Sequence, residues 1–217
     1  MSNTDSFIEE VSEEVRRDKL FGYIRRYGWI AVLLVVVLVG GAAYNEYSKA
    51  QARAAAQARG DAIQAALGVH DRGERAANLA QLTDADRAAP VVAMLLSAEA
   101  QASDDPVTAA AALKSIAEDT SQPALYRDLA ALKHIMLTAS DTAPADRIAA
   151  LQSLTAPGGP FRILAEEQIA LAEAESGDTD AAIARLKSLI EDTEASRGLR
   201  QRATQLIVAL GGDADPV

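Results

Sequence analysis

Between Tyr27 and Asn45 the chain reads YGWIAVLLVVVLVGGAAYN, without one charged side chain. The 18 residues from Tyr27 to Tyr44, at about 1.5 Å each, give roughly 27 Å of helix, just enough to cross a bilayer's hydrocarbon core. Tyr27 and Trp29 mark one end and Tyr44 and Tyr47 the other, where rings with one polar edge favour the headgroup boundary. Arg16, Arg17, Lys19, Arg25 and Arg26 precede the run, against Lys49, Arg53 and Arg59 after it. That bias places the N-terminus inside and the long C-terminal part outside.

Two other readings of the run are weaker. A soluble core helix rarely combines an uncharged Val/Leu run with aromatic ends and a basic flank. A cleaved leader could use Gly41 and Ala43 as small residues, but the preceding stretch carries Asp5, Glu9, Glu10, Glu13, Glu14 and Asp18, unlike a short basic leader. With no Cys after the run, lipoprotein processing is excluded. In the inner tail, residues 1–26, Phe7, Ile8, Val11 and Val15 recur at helical spacing, and Ser6 with Glu9 forms a possible capping box. The tail is either a small docking helix or a polar extension.

Setting the anchor aside leaves roughly 150 residues, enough for one domain with its own core. Ala, Leu, Glu, Gln and Arg dominate this part and Gly and Pro are sparse, so propensity points to an all-α fold. Lys plus Arg number 21 against 31 Asp plus Glu, a formal net charge of -10, which gives no support to nucleic-acid binding. Cysteine is absent, removing disulfides, thiolate nucleophiles and zinc–thiolate sites together.

Residues 46–68 are Ala-rich without Pro and continue the membrane helix (27–45) as a stalk turning near Gly68. Beyond it AANLAQL, AALKSI, AALQSL and ARLKSL place Leu79, Leu113, Leu151 and Leu186 at separations of 34, 38 and 35 residues. A period near 34 is that of paired-helix repeats, in which stacked pairs share a core that one pair could not build. The Leu marks the second helix of each pair. The first helices are then Ala89 to Ser103, Ala124 to Ala139 and Phe161 to Ser176, within a domain spanning 69–210. A last helix, Arg197 to Leu210, places Arg200 and Arg202 away from its apolar side and suits a cap. Gly211-Gly212 stops it, and 211–217 is expected to be a disordered tail.

The stretch Ile163 to Glu194 resembles a tetratricopeptide repeat, with Ala170 at the small position, Gly177-Asp178 at the turn, Ala182-Ile183 opening the second helix, then Leu186. It departs at the aromatic position, which is Glu166, and at the closing proline, which is Glu194. Pro90 to Ser121 matches more loosely through Leu96, Ser97, Ala109 and Leu113. The order of inner tail, anchor, stalk and divergent repeats is similar to the ancillary SecYEG translocon subunit family of the YfgM type. That resemblance implies a bacterial inner-membrane protein beside the Sec translocon, a periplasmic C-terminal domain, and periplasmic chaperones as partners, assisting exported chains. The alternative is an envelope-stress regulator signalling through its short cytosolic tail.

No catalytic, cofactor or metal site emerges from the residues, and no small-molecule substrate is implied. His70 and His134 lack acids at ligand spacing. Asp178 and Asp180 fail as a calcium loop because Ala182 stands where an oxygen ligand is needed. Gly158-Gly159-Pro160 has neither the lysine nor the strand of a phosphate cradle. Glu166-Glu167 and Glu173-Glu175 read as a solvated face opposite Ile163, Ala170 and Leu171. If the repeat resemblance holds, the partner groove is lined by Met94, Ala98 and Gln101, then Arg127, Ala130 and His134, then Leu164, Glu167 and Leu171. Of these, Met94, Gln101, Arg127, His134, Glu167 and Leu171 are the main candidates.

Overall fold

The computed structural model describes residues 3–82 and 88–213, with side chains from Arg25 onward apart from Ala31. The side chains of Ser6, Phe7, Ile8, Glu9, Val11 and Val15, and residues 214–217 of the expected tail, lie outside the described residues. Among the described residues all regular structure is helical. The chain divides into two units, residues 1–58 and 59–217.

Helix α1 runs Asn3–Leu67 without interruption. It forms the first unit and contributes its last turns to the second. Within the first unit it is long and apolar enough to cross a membrane. The side chains of its apolar run are open: Val32 is 64% and Leu38 63% exposed, where a soluble core helix would bury them. From Glu46 to Ala58 every residue is exposed, with Glu46 paired to Arg53 at 3.7 Å and the Gln51 amide donating to Tyr47 Oη at 2.9 Å. Pairs one or two turns apart add little to stability, so Ala propensity carries this stretch.

In the second unit α1 gains a buried side at Ala66, flanked by Ile63 and Leu67. The stalk therefore ends inside the outer domain rather than at its edge. Among the described residues eight α-helices follow: α2 (Arg72–Ala80), α3 (Ala89–Ala102), α4 (Pro106–Glu118), α5 (Ala124–Leu137), α6 (Pro144–Gln152), α7 (Arg162–Glu175), α8 (Thr179–Glu191) and α9 (Arg197–Ala209). Their starts are written in short-range chemistry. Asp71, Asp105, Asp178 and Ser196 each accept a backbone N–H three residues on, and Pro opens α3, α4 and α6.

From α2 onward each helix packs chiefly on its neighbours in the chain, α5 and α6 touching least. Leu79, Leu113, Leu151 and Leu186 lie on α2, α4, α6 and α8 and are 0 to 1% exposed. The recurring Leu of the sequence is thus the largest fully buried side chain of each of these helices. Small residues share the core with Leu79 and Leu113: Ala93, Ala100, Ala109 and Ala130 are buried there, and a methyl side chain lets two helices approach closely. Three apolar clusters result. The first joins the end of α1 to α2, α3, α4 and Ala130 of α5; the second runs from Leu132 of α5 through α6 to α7; the third joins α7, α8 and α9.

One turn geometry recurs. At the ends of α3, α7 and α9 a residue at φ 65° to 87° (Asp104, Gly177, Gly211) follows the helix. The next amide then reaches back to close the last turn: Asp105 to Ala100 O, Asp178 to Glu173 O and Gly212 to Ile207 O, each 2.9 Å. This is the left-handed cap with a six-to-one hydrogen bond. Gly177 and Gly211 stand 34 residues apart. After α5 the device is missing, and a 3-10 turn (Ala139–Asp141) leads to α6 instead. Asp104 holds the left-handed position without glycine's freedom. Asp104→Gly should therefore raise the thermal midpoint by about 2 °C, roughly 0.5 kcal/mol, measured by circular dichroism of the full chain.

Candidate partner groove

A cleft of about 640 Å³ opens between α5, α7 and α9. Leu164 and Leu171 of α7, Leu206 of α9 and Met136 of α5 supply its apolar lining. Leu164 and Leu171 are seven residues apart, two helical turns, so they project on one side of α7. Met136 is 50% and Leu164 41% exposed, although large apolar groups are usually covered in a folded domain.

An ion pair forms one wall. Glu167 lies on the same side of α7 as these Leu residues, its side chain only 7% exposed. Both of its oxygens are taken by Arg202 of α9, Oε1 by Nε and Oε2 by Nη2, each at 2.8 Å. These bonds push the guanidinium's pKa up, so the charge is permanent. Arg202 remains half exposed, its side chain at 54%. The pair uses the side edge of the guanidinium and leaves Nη1 unbonded among the described residues.

Of the six sequence candidates, only Glu167 and Leu171 reach this cleft, together with Leu164. Met94 packs on the first apolar cluster instead. The Gln101 amide donates to Ser97 O and Oγ one turn back. Arg127 Nη1 reaches Thr120 O in the preceding loop, at 3.5 Å. His134 Nδ1 lies 3.1 Å from Ala110 O; a carbonyl only accepts, so that nitrogen carries the proton and pins α5 to α4. Ala130 is wholly buried. The expected single groove along three first helices is in these places packing and local hydrogen bonding.

The residues missed were Met136, Arg202 and Leu206. The sequence pattern places Arg202 away from the apolar side of a capping helix, yet Arg202, Leu206 and Ala209 follow helical spacing into the cleft. Neither could be paired with α7 before the fold placed the two helices together.

The carboxylates of α7 overturn the expected solvated face in part, since Glu175 alone of the four stays exposed. Glu167 and Glu173 are buried, at 5% and 8% exposure. Arg185 of α8 spans Glu173 and Glu166, Arg147 of α6 reaches Glu175, and Arg162 joins Asp192 at 2.8 Å and Glu194 at 2.6 Å. Farther along the chain Arg75 of α2 meets Glu99 of α3 at 3.4 Å. Arginine joins helix to helix because its planar fork can serve two acceptors at once. Single-helix periodicity could not distinguish a carboxylate facing water from one facing the next helix's arginine.

The hydrogen bond from Arg162 is the main reason Asp192 titrates below its ordinary 3.8, followed by the Glu194 backbone N–H. A depressed carboxylate pKa stabilises the fold above the unfolded value, and that contribution is lost as pH falls through the folded one. Asp192→Asn should thus lower the thermal midpoint at neutral pH. The gap from the unmodified chain should close as pH falls below the ordinary carboxylate value of 3.8, as followed by melting curves through the acid range.

A second hollow of about 430 Å³ between α7 and α8 is lined by Arg162, Glu166, Arg185 and Asp192, all engaged in the ion pairs just described. Among the described residues no three His, Asp or Glu side chains are grouped as a metal ion would need. No family model, curated protein or solved structure matches the chain.

Proposed function

We propose that the chain is a membrane-anchored scaffold whose outer helical domain, a divergent tetratricopeptide-like solenoid, binds other proteins of the cell envelope. The observation that carries this reading is the pairing of an open apolar helix long enough to span a bilayer with a domain whose cleft keeps large apolar side chains exposed. The buried Leu series and the turn repeated at Gly177 and Gly211 favour stacked helix pairs. The basic residues ahead of the anchor favour a cytoplasmic N-terminus and a periplasmic outer domain. With the family resemblance, they favour an ancillary role at the Sec translocon, linking it to periplasmic chaperones.

The mechanism needs no catalysis. Tethering raises the effective concentration of a partner to something like the millimolar range, so weak contacts suffice. In vivo cross-linking of the full-length protein, purified in mild detergent, should enrich channel subunits and chaperones over a control carrying the anchor alone. Enrichment of neither would remove the translocon from the reading. Protease added to intact spheroplasts should digest the outer domain, and a protected domain would reverse the orientation.

A further inference from the structure

The cleft between α5, α7 and α9 has a chemistry more specific than an apolar hollow. Buried Glu167 holds the Arg202 guanidinium by Nε and Nη2, which fixes its plane. What remains free is the end edge, where Nη1 and Nη2 present parallel N–H groups at the spacing of a carboxylate's two oxygens. Apolar Leu164, Leu171 and Leu206 lie beside it. Among the residues lining the cleft Arg202 is the one cation and its partner Glu167 the one acid, and α9 itself carries no Asp or Glu. Gln168 and Gln205 complete the lining, and their amides, donor and acceptor in one group, match a peptide main chain better than a lipid tail.

We propose that this cleft takes a polypeptide segment in which an Asp or Glu side chain neighbours large aliphatic residues. The acid meets the free edge of Arg202 and the aliphatic groups cover Leu164, Leu171 and Leu206. This rests on the protein-binding reading above and specifies the partner's chemistry.

The test uses the full chain in lipid nanodiscs, with empty nanodiscs subtracted. The probe is a fluorescein-labelled peptide of Leu, Glu and Ser about 15 residues long, roughly four turns if helical, amidated at its C-terminus. Anisotropy should show saturable binding, weakened roughly tenfold when Glu is replaced by Gln. Arg202→Gln should bind both peptides alike. Should Arg202→Gln fail to fold, Arg202→Lys keeps a cation beside Glu167 without the fork and should lose most of the preference for Glu. Leu171→Ser should weaken both peptides while keeping that preference.

Equal affinity for the Glu and Gln peptides would overturn the proposal in favour of a purely apolar site. A Gln peptide with a free C-terminus that matches the Glu peptide would overturn it in favour of a terminal carboxylate. Displacement of the Glu peptide by dodecanoate and not by unlabelled peptide would assign the cleft to a lipid. If no peptide binds, the proposal fails while the scaffold reading still stands on the cross-linked partners.

Discussion

Arg185→Met should destabilise the outer domain by about 3 kcal/mol, because it removes the partner of a buried carboxylate. Arg185 bonds both oxygens of Glu173, through Nε at 3.1 and 3.0 Å and Nη2 at 2.6 Å, and also reaches Glu166. Glu173 is buried, so losing the arginine strands a carboxylate with little access to water. That desolvation governs the size of the effect, since an intact buried pair contributes little over a well-packed apolar replacement. Arg185→Met combined with Glu173→Leu and Glu166→Gln should accordingly regain most of the loss. Urea denaturation of the full chain in detergent, followed by circular dichroism, checks both. A single substitution within about 0.5 kcal/mol of the unmodified chain would mean that Glu173 finds water or another donor.

Leu186→Ala should have a comparable effect, about 3 kcal/mol or close to 10 °C in thermal midpoint for a domain of this size. Leu186 is 1% exposed and packs in the cluster that joins α7, α8 and α9. Truncation leaves a void that helices held from both sides cannot close. Val208→Ala is the control: at 61% exposure it should stay within about 0.5 kcal/mol. Melting curves of the two variants side by side provide the comparison. Similar midpoints would place Leu186 outside any shared core.

Helix identity was legible because it depends on local rules. Ala-rich propensity, Asp caps, Pro at first turns and the recurring Leu each act within a few residues, and α3, α5, α7 and α9 begin and end within a residue or two of their expected limits. The side of a helix that meets a distant partner is another matter. His134 and Gln101 appeared to face a groove because helical spacing reports a face and not what covers it; α4 covers the first, and a local hydrogen bond engages the second. Arg202 and Glu167 are 35 residues apart, and no pattern within either helix joins them. Asp104 in a left-handed turn was likewise invisible, since that position ordinarily announces itself by glycine.

Packing of each helix chiefly on its chain neighbours also bears on how the domain is built during synthesis. Low sequence separation between contacts keeps loop-closure entropy small and folding fast. Synthesis proceeds from the N-terminus, so α3 can settle on α2, α4 on α3, and α5 on α4 as each becomes available. The nascent chain then exposes only the one or two newest helices, a short-lived sticky end in place of a whole unfolded domain.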